Sequence, residues 1–504
     1  MNSNFTFISE LFPKSLFSGK KRAEKDRHAV SALPVGRFRA GYDAAKTTRD
    51  NERHWQYADS LSADEQAAPE VRKVLRERSR YEIGNNSYAR GLVRMLANDT
   101  IGTGPRLQIL GDNEEFNDSV ERDFGRWASA VKLAKKLRLM RIARCQDGET
   151  FAILSTNPEL NDPVKLDLRV IEADRVCGDR VSRIKGKSVR YVDGIAYDEW
   201  DNPVSYQVLN EHPGSGFCSL FSSRSCRSIP AEYMLHLFSQ ERPEQHRGIP
   251  ELSAALPLFA QLRRYNMAAL SSAEAAADFS AILYTDAPPN GESDPIEPMD
   301  AIELERNMML TVPAGWKMAQ LDAKQPTANH AEFVKIILSE IARCAVSTYG
   351  AVSGDYSGHN YASGRLDNQL YRKGIGVDRA VWESDALDPV FRLWYREYAL
   401  LHHLDGSGIP DHTWFWDGFS HVDPTKEAAA QQIRLANHTT TLAAECARDG
   451  LDYMAVLRQR RKELRLMQEW GIPEGVQNGG IRQMCQVQNT EYDGEKSKND
   501  EYGN

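Results

Sequence analysis

Residues 251–284, ELSAALPLFAQLRRYNMAALSSAEAAADFSAILY, set the tightest limit on how this chain folds. The run is rich in Ala and poor in charge, so its turns carry small side chains that suit close packing against neighbouring helices. Pro257 starts or kinks the helix, because proline lacks the N–H that a helix interior needs. No apolar run in the chain approaches the roughly 18 residues that cross a bilayer.

Helical periodicity flanks this segment on both sides. Pro69 opens a helix that is expected to carry Val71, Val74 and Leu75 inward. A second, capped by Asn86, repeats the stripe with Tyr88, Leu92 and Met95 and stops before Gly102-Thr103-Gly104-Pro105. A third places Phe116, Val120, Phe124 and Trp127 on one face. From about 149 to 240 the pattern changes to short strands, Phe151–Leu154, Leu166–Ile171, Val189–Val192 and Tyr206–Leu209. Turn chemistry such as Asp193-Gly194 and Asp201-Asn202-Pro203 separates them. Residues 286–306 are acidic and Pro-rich, an exposed loop or module. A helix after Asn329 puts Phe333, Ile337, Ile341 and Cys344 on one stripe and ends at Gly350. The Gly- and Ser-rich segment AVSGDYSGHNYASG follows as a flexible loop, and an aromatic-rich helical stretch then runs to about Leu404. Asp423-Pro424 signals a further helix start, with helices to Asn437, from Leu442 to Asp449 and from Tyr453 to Trp470. The fold class is α+β, predominantly helical.

Composition narrows the function. The net charge of −8 argues against a protein that grips DNA by phosphate neutralisation, which requires a basic surface. Seven cysteines (145, 177, 218, 226, 344, 446 and 485) form no CxxC pair, so neither a zinc ribbon nor a thioredoxin-like site is indicated. The termini, residues 1–50 and 476–504, read as a weakly structured arm and a polar tail.

The search for chemistry is negative. Gly186-Lys187-Ser188 has Val181 where a phosphate loop needs Gly. Ser357 in Gly354-Asp355-Tyr356-Ser357-Gly358 is one residue out of frame for a nucleophile elbow. His402, His403, Asp411 and His412 match no common metal spacing, Glu114-Glu115 reads as solvated surface, and Cys218 and Cys226 flank a Ser/Arg-rich loop. No catalytic residue, metal site or cofactor is expected.

Several segments, in order, resemble the lambda-type portal family of tailed bacteriophages. They are Tyr42-Asp43-Ala44-Ala45 with Trp55, LRERSRYEIGNNSYARGLVRMLANDTIGTGPRLQ (75–108), the turn Asp147-Gly148-Glu149, GDYSGHNYASGR (354–365) and HVDPTKEAAA (421–430). The most specific is HLFSQERPEQHRGIPELSAAL (236–256), similar to the family's H-x-F-x-x-x-R-P-x-Q-x-R-G-x-P signature. The signature positions here are His236, Arg242, Pro243, Gln245, Arg247, Gly248 and Pro250. Asp423, Pro424, Lys426 and Glu427 belong to the later segment. All are expected to be structural.

The resemblance implies a non-enzymatic virion protein, a homo-oligomeric ring of twelve subunits at one capsid vertex. Double-stranded DNA would be packaged and ejected through it. Terminase and the head–tail connector or adaptor would dock on it, the major capsid protein and scaffold would surround it, and assembly would occur in the host bacterial cytoplasm away from any membrane. Mapped onto this chain it implies a flexible arm (1–50), a wing (51–250), a first stem helix region (251–285), a clip (286–330) and a second stem helix (331–350). A channel loop (351–365), a long wing helix and return (366–424), a helical crown (425–475) and a disordered tail (476–504) follow. The loop residues expected to face DNA are Ser353, Asp355, Tyr356, His359, Asn360 and Tyr361. Other classes fit less well. A packaging ATPase-nuclease lacks its phosphate loop here, head–tail adaptors are shorter, and a capsid protease lacks a nucleophile with its base.

Overall fold

The computed structural model describes residues 52–178, 181–183, 190–215, 226–278, 282–285, 316–319, 330–358, 360–404, 408–419 and 423–471. The expectations for the arm 1–50, the tail 476–504, the acidic segment 286–306, Gly186-Lys187-Ser188, Cys218, Cys485 and His359 lie outside the described residues. The chain divides into two compact units, Met1–Leu61 and Ser62–Asn504. In the first, residues 52–61 are exposed turn and extended chain, where the Asp59 carboxylate accepts from Leu61 N–H at 3.1 Å.

The second unit opens with a short turn, α1 (Ala63–Gln66), and two longer helices, α2 (Pro69–Asn85) and α3 (Ser87–Ile101). Pro69 sits in the first turn of α2, and the Asn86 side chain caps α3 by accepting from Tyr88 and Ala89 N–H. Strand β1 (Arg106–Ile109) leads to α4 (Glu114–Ala130), capped by Asn113, and α5 (Leu133–Asp147). Gly148 ends α5 with φ 90°, a left-handed conformation that glycine adopts without strain.

Eight strands follow: β2 (Glu149–Thr156), β3 (Leu166–Ile171), β4 (Val181–Arg183), β5 (Arg190–Val192), β6 (Ile195–Tyr197), β7 (Pro203–Leu209), β8 (Cys226–Pro230) and β9 (Met234–Phe238). They form an antiparallel three-stranded sheet, β3-β2-β9, and a five-stranded meander, β4-β5-β6-β7-β8. Asp193-Gly194 turns β5 into β6 with positive φ at both residues, the backbone a two-residue hairpin requires. Helix α6 (Leu256–Asp278) comes next, then the antiparallel pair β10 (Ile282–Thr285) and β11 (Trp316–Ala319). The chain continues through α7 (His330–Cys344), α8 (Tyr349–Ser353), α9 (Tyr361–Trp382), a π-turn at Glu383–Leu387 and α10 (Asp388–Leu401). Strand β12 (His412–Phe415) returns to pair with β1, and α11 (Pro424–Ala436), α12 (Leu442–Arg448) and α13 (Tyr453–Glu469) end the described chain.

Three apolar clusters hold these elements. An aromatic one joins α4, α5, α10 and β12, where Phe124 meets Trp394 edge-on at 5.1 Å and Trp127 donates to Leu166 O at 2.8 Å. A second packs α3 against α6, α7 and α9 through Leu92, Phe259, Ile341 and Ile375. The third lies between the two sheets around Phe151, Ile195 and Val208.

Four expectations are corrected. The valines of α2 face out: Val71 and Val74 are exposed, and the buried face carries Arg72, Arg76, Ser79, Glu82 and Ile83. That helix packs on an ionic centre, so its polar stripe is the inward one. The helix expected to reach Gly350 stops at Cys344, because Val346 takes a left-handed φ of 51° and Ser347 N–H turns back to Ala342 O. The run 351–365 begins and ends in helix. Thr348 caps α8, and Asn360 with Ser363 forms a capping box that starts α9, so among the described residues Gly354–Gly358 lie between the two helices. Finally, 251–285 is not one helix; α6 is preceded by a 3-10 turn at Ser253–Ala255 and followed by β10.

Candidate functional site

The signature segment 236–251 exposes its turn, residues 240–244, and buries Gln245, His246, Arg247, Gly248 and Pro250. It converges on one carboxylate, Glu149, which follows the left-handed Gly148 at the start of β2 and is fully buried. Arg247 grips it with Nε and Nη2 at 2.8 and 2.7 Å, a bidentate pair. Arg76 Nη2 reaches the same carboxylate at 2.7 Å and Arg72 Nη1 at 3.4 Å, one helical turn apart on α2. Gly248 N–H donates to it at 3.2 Å, and His236 Nε2 lies 3.3 Å away. His236 itself stacks on Phe151, with ring centroids 4.3 Å apart.

Around this core Asp193 pairs with Arg247 and Arg72, Asp174 with Arg76 and Arg80, and Asp147 with Arg80. Four guanidiniums thus meet four carboxylates. Exact neutrality matters because each buried ion forfeits several kcal/mol of hydration that only partners restore. Burial raises the affinity of Glu149 for a proton, but Arg247, His236 and Arg72 hold its acid well below the usual carboxylate range. Burial and the like charge of Arg247 push Arg72 down, while burial lowers His236 despite Glu149 beside it.

A second centre lies along the same segment. Glu251 accepts from Arg141 Nη1 at 2.9 Å and Arg144 Nε at 2.8 Å, and both arginines also reach Asp378 on α9 at 2.8 Å. Burial works to raise Glu251, yet Arg141 and Arg144 bring it down to about 2. The remaining signature residues shape the loop. Gln245 accepts from Glu241 and Arg242 N–H and donates to Arg247 O, Arg242 donates to Gln66, and Pro250 O accepts from Ser253 N–H. His246 bridges Asp64 and Asp201 at 2.8 and 2.9 Å; burial lowers its basicity, but the two carboxylates raise it overall. Pro243 stands in the exposed turn just before Glu244, whose φ is 62°.

The residues expected to face a channel are not gathered into one loop. Ser353 ends α8, with its hydroxyl donating to Tyr349 O. Asp355 is exposed and accepts from Ser357 N–H at 2.9 Å, and the Ser357 hydroxyl together with that N–H holds its carboxyl below the usual range. Tyr356 is 57% exposed, with its ring against Gly350, where no Cβ would fit. Asn360 spends its side-chain oxygen on Ser363 N–H, and Tyr361 is the first residue of α9. In the later segment Asp423 caps α11 and pairs with Lys426 at 3.0 Å, Pro424 takes the first turn, and Glu427 bonds Arg434 and Arg448.

For chemistry the described residues offer little. His412 turns to Asp388 and Pro410 O, and His402 to the Tyr398 ring. Glu172, Asp174 and His212 form a cluster of metal-ligand type, but Arg76 and Arg80 already hold Asp174 and oppose a further cation. Sequence reasoning missed Glu149, Arg72 and Arg76 as a unit. The available signal was the spacing Arg72, Arg76, Ser79, Glu82, Ile83, a helical stripe written in polar residues.

The sequence pattern of phage portal proteins of the lambda family matches residues 48–379, from before α2 to the Arg379 turn of α9. The chain belongs to that family. A probable portal protein of Halomonas phage phiHAP-1 is 25% identical over 434 residues, covering 80% of this chain and 82% of its own. Among solved structures, the neck of an empty GTA particle computed with C6 symmetry matches at 15% identity and TM-score 0.41, over 74% of this chain and 92% of that one. The neck of a native GTA particle computed with C12 symmetry matches at 16% and 0.40, over 76% and 94%. The chain is a phage portal protein, of a structural, virion-associated family, and both ionic centres fall inside the matched region.

Two outcomes follow for this portal protein. Glu149→Gln keeps the shape but removes the one carboxylate that Arg247, Arg76 and Arg72 share, leaving the buried centre with a surplus positive charge, and should cost about 3–5 kcal/mol in urea unfolding; a cost under about 1 kcal/mol would show that the centre does not hold the fold. Glu251 has a depressed folded value, about 2 against an ordinary 4.5. Its contribution is therefore present above the ordinary value and lost as pH falls towards about 2. Between those limits the thermal stability of the native protein should fall more steeply with acid than that of Glu251→Gln, as read from the unfolding temperature against pH.

Proposed function

We propose that this portal protein closes into a homo-oligomeric ring at one capsid vertex, twelvefold as the family resemblance implies, and that the double-stranded genome passes through it in packaging and ejection. Terminase would dock during packaging and the head–tail connector afterwards, with capsid protein and scaffold around the ring and assembly in the host cytoplasm. In this reading it acts without catalysis. The pair α6 and α7 would form the stem, and α11 to α13 the crown.

One observation carries the reading. Beyond Leu262 the α6 helix turns its apolar residues to water, with Met267 63% and Leu270 60% exposed, and Ile336 on α7 is 53% exposed. Apolar surface of this kind is stabilised when copies bury it against one another, and head-to-tail contacts that close produce rings. The overall charge of −8 supports a passage through which DNA slides rather than one that retains it.

Negative-stain images and native mass spectra of the purified protein should show rings of one size. Met267→Glu with Leu270→Glu should abolish them while leaving helical content unchanged, since both side chains lie outside the cores; a native protein that stays monomeric at micromolar concentration would sink the proposal. Gly354–Gly358 is the segment proposed to touch the passing DNA. Asp355→Arg should leave rings intact and slow packaging, most at low salt where screening is weakest. An unchanged packaging rate at every salt concentration would remove that segment from the channel wall.

A further inference from the structure

Helix α13 carries five basic side chains against two acidic ones, in a chain whose overall charge is −8. Four of the five, Arg458, Arg461, Lys462 and Arg465, stand at i, i+3, i+4 and i+7 and share one face. No residue of the helix is buried, and Arg461, Lys462 and Arg465 are exposed.

Their partners divide these cations into two groups. Arg458 is held by Asp118 of α4 at 2.7 Å, which ties the helix down, while Arg460, on another face, pairs with Glu463 at 3.4 Å. Among the described residues, Arg461, Lys462 and Arg465 have no carboxylate within ion-pair distance. A solvated helix face gains stability from opposite charges four residues apart. Here both such pairs on the face, Arg458 with Lys462 and Arg461 with Arg465, are of like charge and oppose the helix. An extended polyanion lying along the face relieves that repulsion. At about 1.5 Å per residue the stripe from Arg458 to Arg465 is about 10 Å long. One strand of duplex DNA brings a phosphate about every 3.4 Å along its axis, so about three phosphates fall within that reach.

We propose that this face of α13 lies against the phosphate backbone of double-stranded DNA, with Arg461, Lys462 and Arg465 each opposite one phosphate. Such contacts respond to charge and carry no sequence information. Three of them give a weak hold that salt dissolves, so the duplex is guided along the surface rather than retained, in keeping with the acidic balance of the whole chain. The inference depends neither on the ring nor on Gly354–Gly358, because a single copy presents the entire stripe.

The test is fluorescence anisotropy of a short labelled duplex titrated with the full-length protein over a range of salt concentrations. Three phosphate contacts in each engaged copy should weaken binding about fortyfold between about 50 and 200 mM salt. Arg461→Gln, Lys462→Gln and Arg465→Gln should each lower the slope of log affinity against log salt by about one. The triple variant should lose most of the binding with its helical content unchanged, since all three side chains are exposed. Arg461→Lys with Arg465→Lys, which keeps both charges, should keep the slope, and two duplexes of unrelated sequence should bind alike. Absence of duplex binding at the lower salt, or a triple variant with native affinity and slope, overturns the proposal. So does a stripe that ignores the duplex and binds poly-glutamate, which would assign this face to an acidic protein partner.

Discussion

A single buried carboxylate organises this protein. Glu149 begins the central strand β2, and the groups that neutralise it come from α2 (Arg72, Arg76) and from the loop after β9 (Arg247). None of those elements is adjacent to another in sequence. Removing charge from water is costly unless every partner arrives, so the helices, the three-stranded sheet and the signature loop must assemble in one relative placement. An apolar contact tolerates sliding; a bidentate guanidinium does not.

The neighbouring centre extends the same logic to the long helices. Asp378 on α9 shares Arg141 and Arg144 with Glu251, five residues before α6 begins. The start of α6 and the last turns of α9 are therefore referenced to α5. At the far end of α9 the π-turn at Glu383–Leu387 shifts the register of the continuing helix, and indole N–H groups of Trp416 and Trp414 hold Glu383 and Asp388 on either side of it. The aromatic cluster then takes over from ionic contacts.

Legibility in the sequence divided along this line. Where cores are apolar the period was visible: Val120, Phe124 and Trp127 are buried as their spacing implies, and caps at Asn86 and Asp423 mark true helix starts. In α2 the same reasoning chose the wrong face, since hydrophobic periodicity assumes an apolar interior and this one is ionic. Short strands such as β1 and β12 escaped because four residues that pair across some 300 positions leave no local signature. The Gly-rich run 351–365 was read from composition, whereas single side chains, Thr348 and Asn360, decide that helices occupy its ends. The family motif was legible as a pattern, but its meaning as a charge lock required the tertiary contacts of Glu149.

Gly148 and Gly248 meet back to back beside that lock. A Cβ on Gly148 would overlap Ile249 and Pro250, and one on Gly248 would overlap Gly148 O and Phe238. With backbone against backbone, neither strand segment has slack to accommodate a differently shaped partner. For genomes that recombine, this makes residues 147–149 and 247–251 a single inherited module: a crossover falling between them yields a sound chain only when both parents carry the same bare-backbone seam, however much the intervening hundred residues differ.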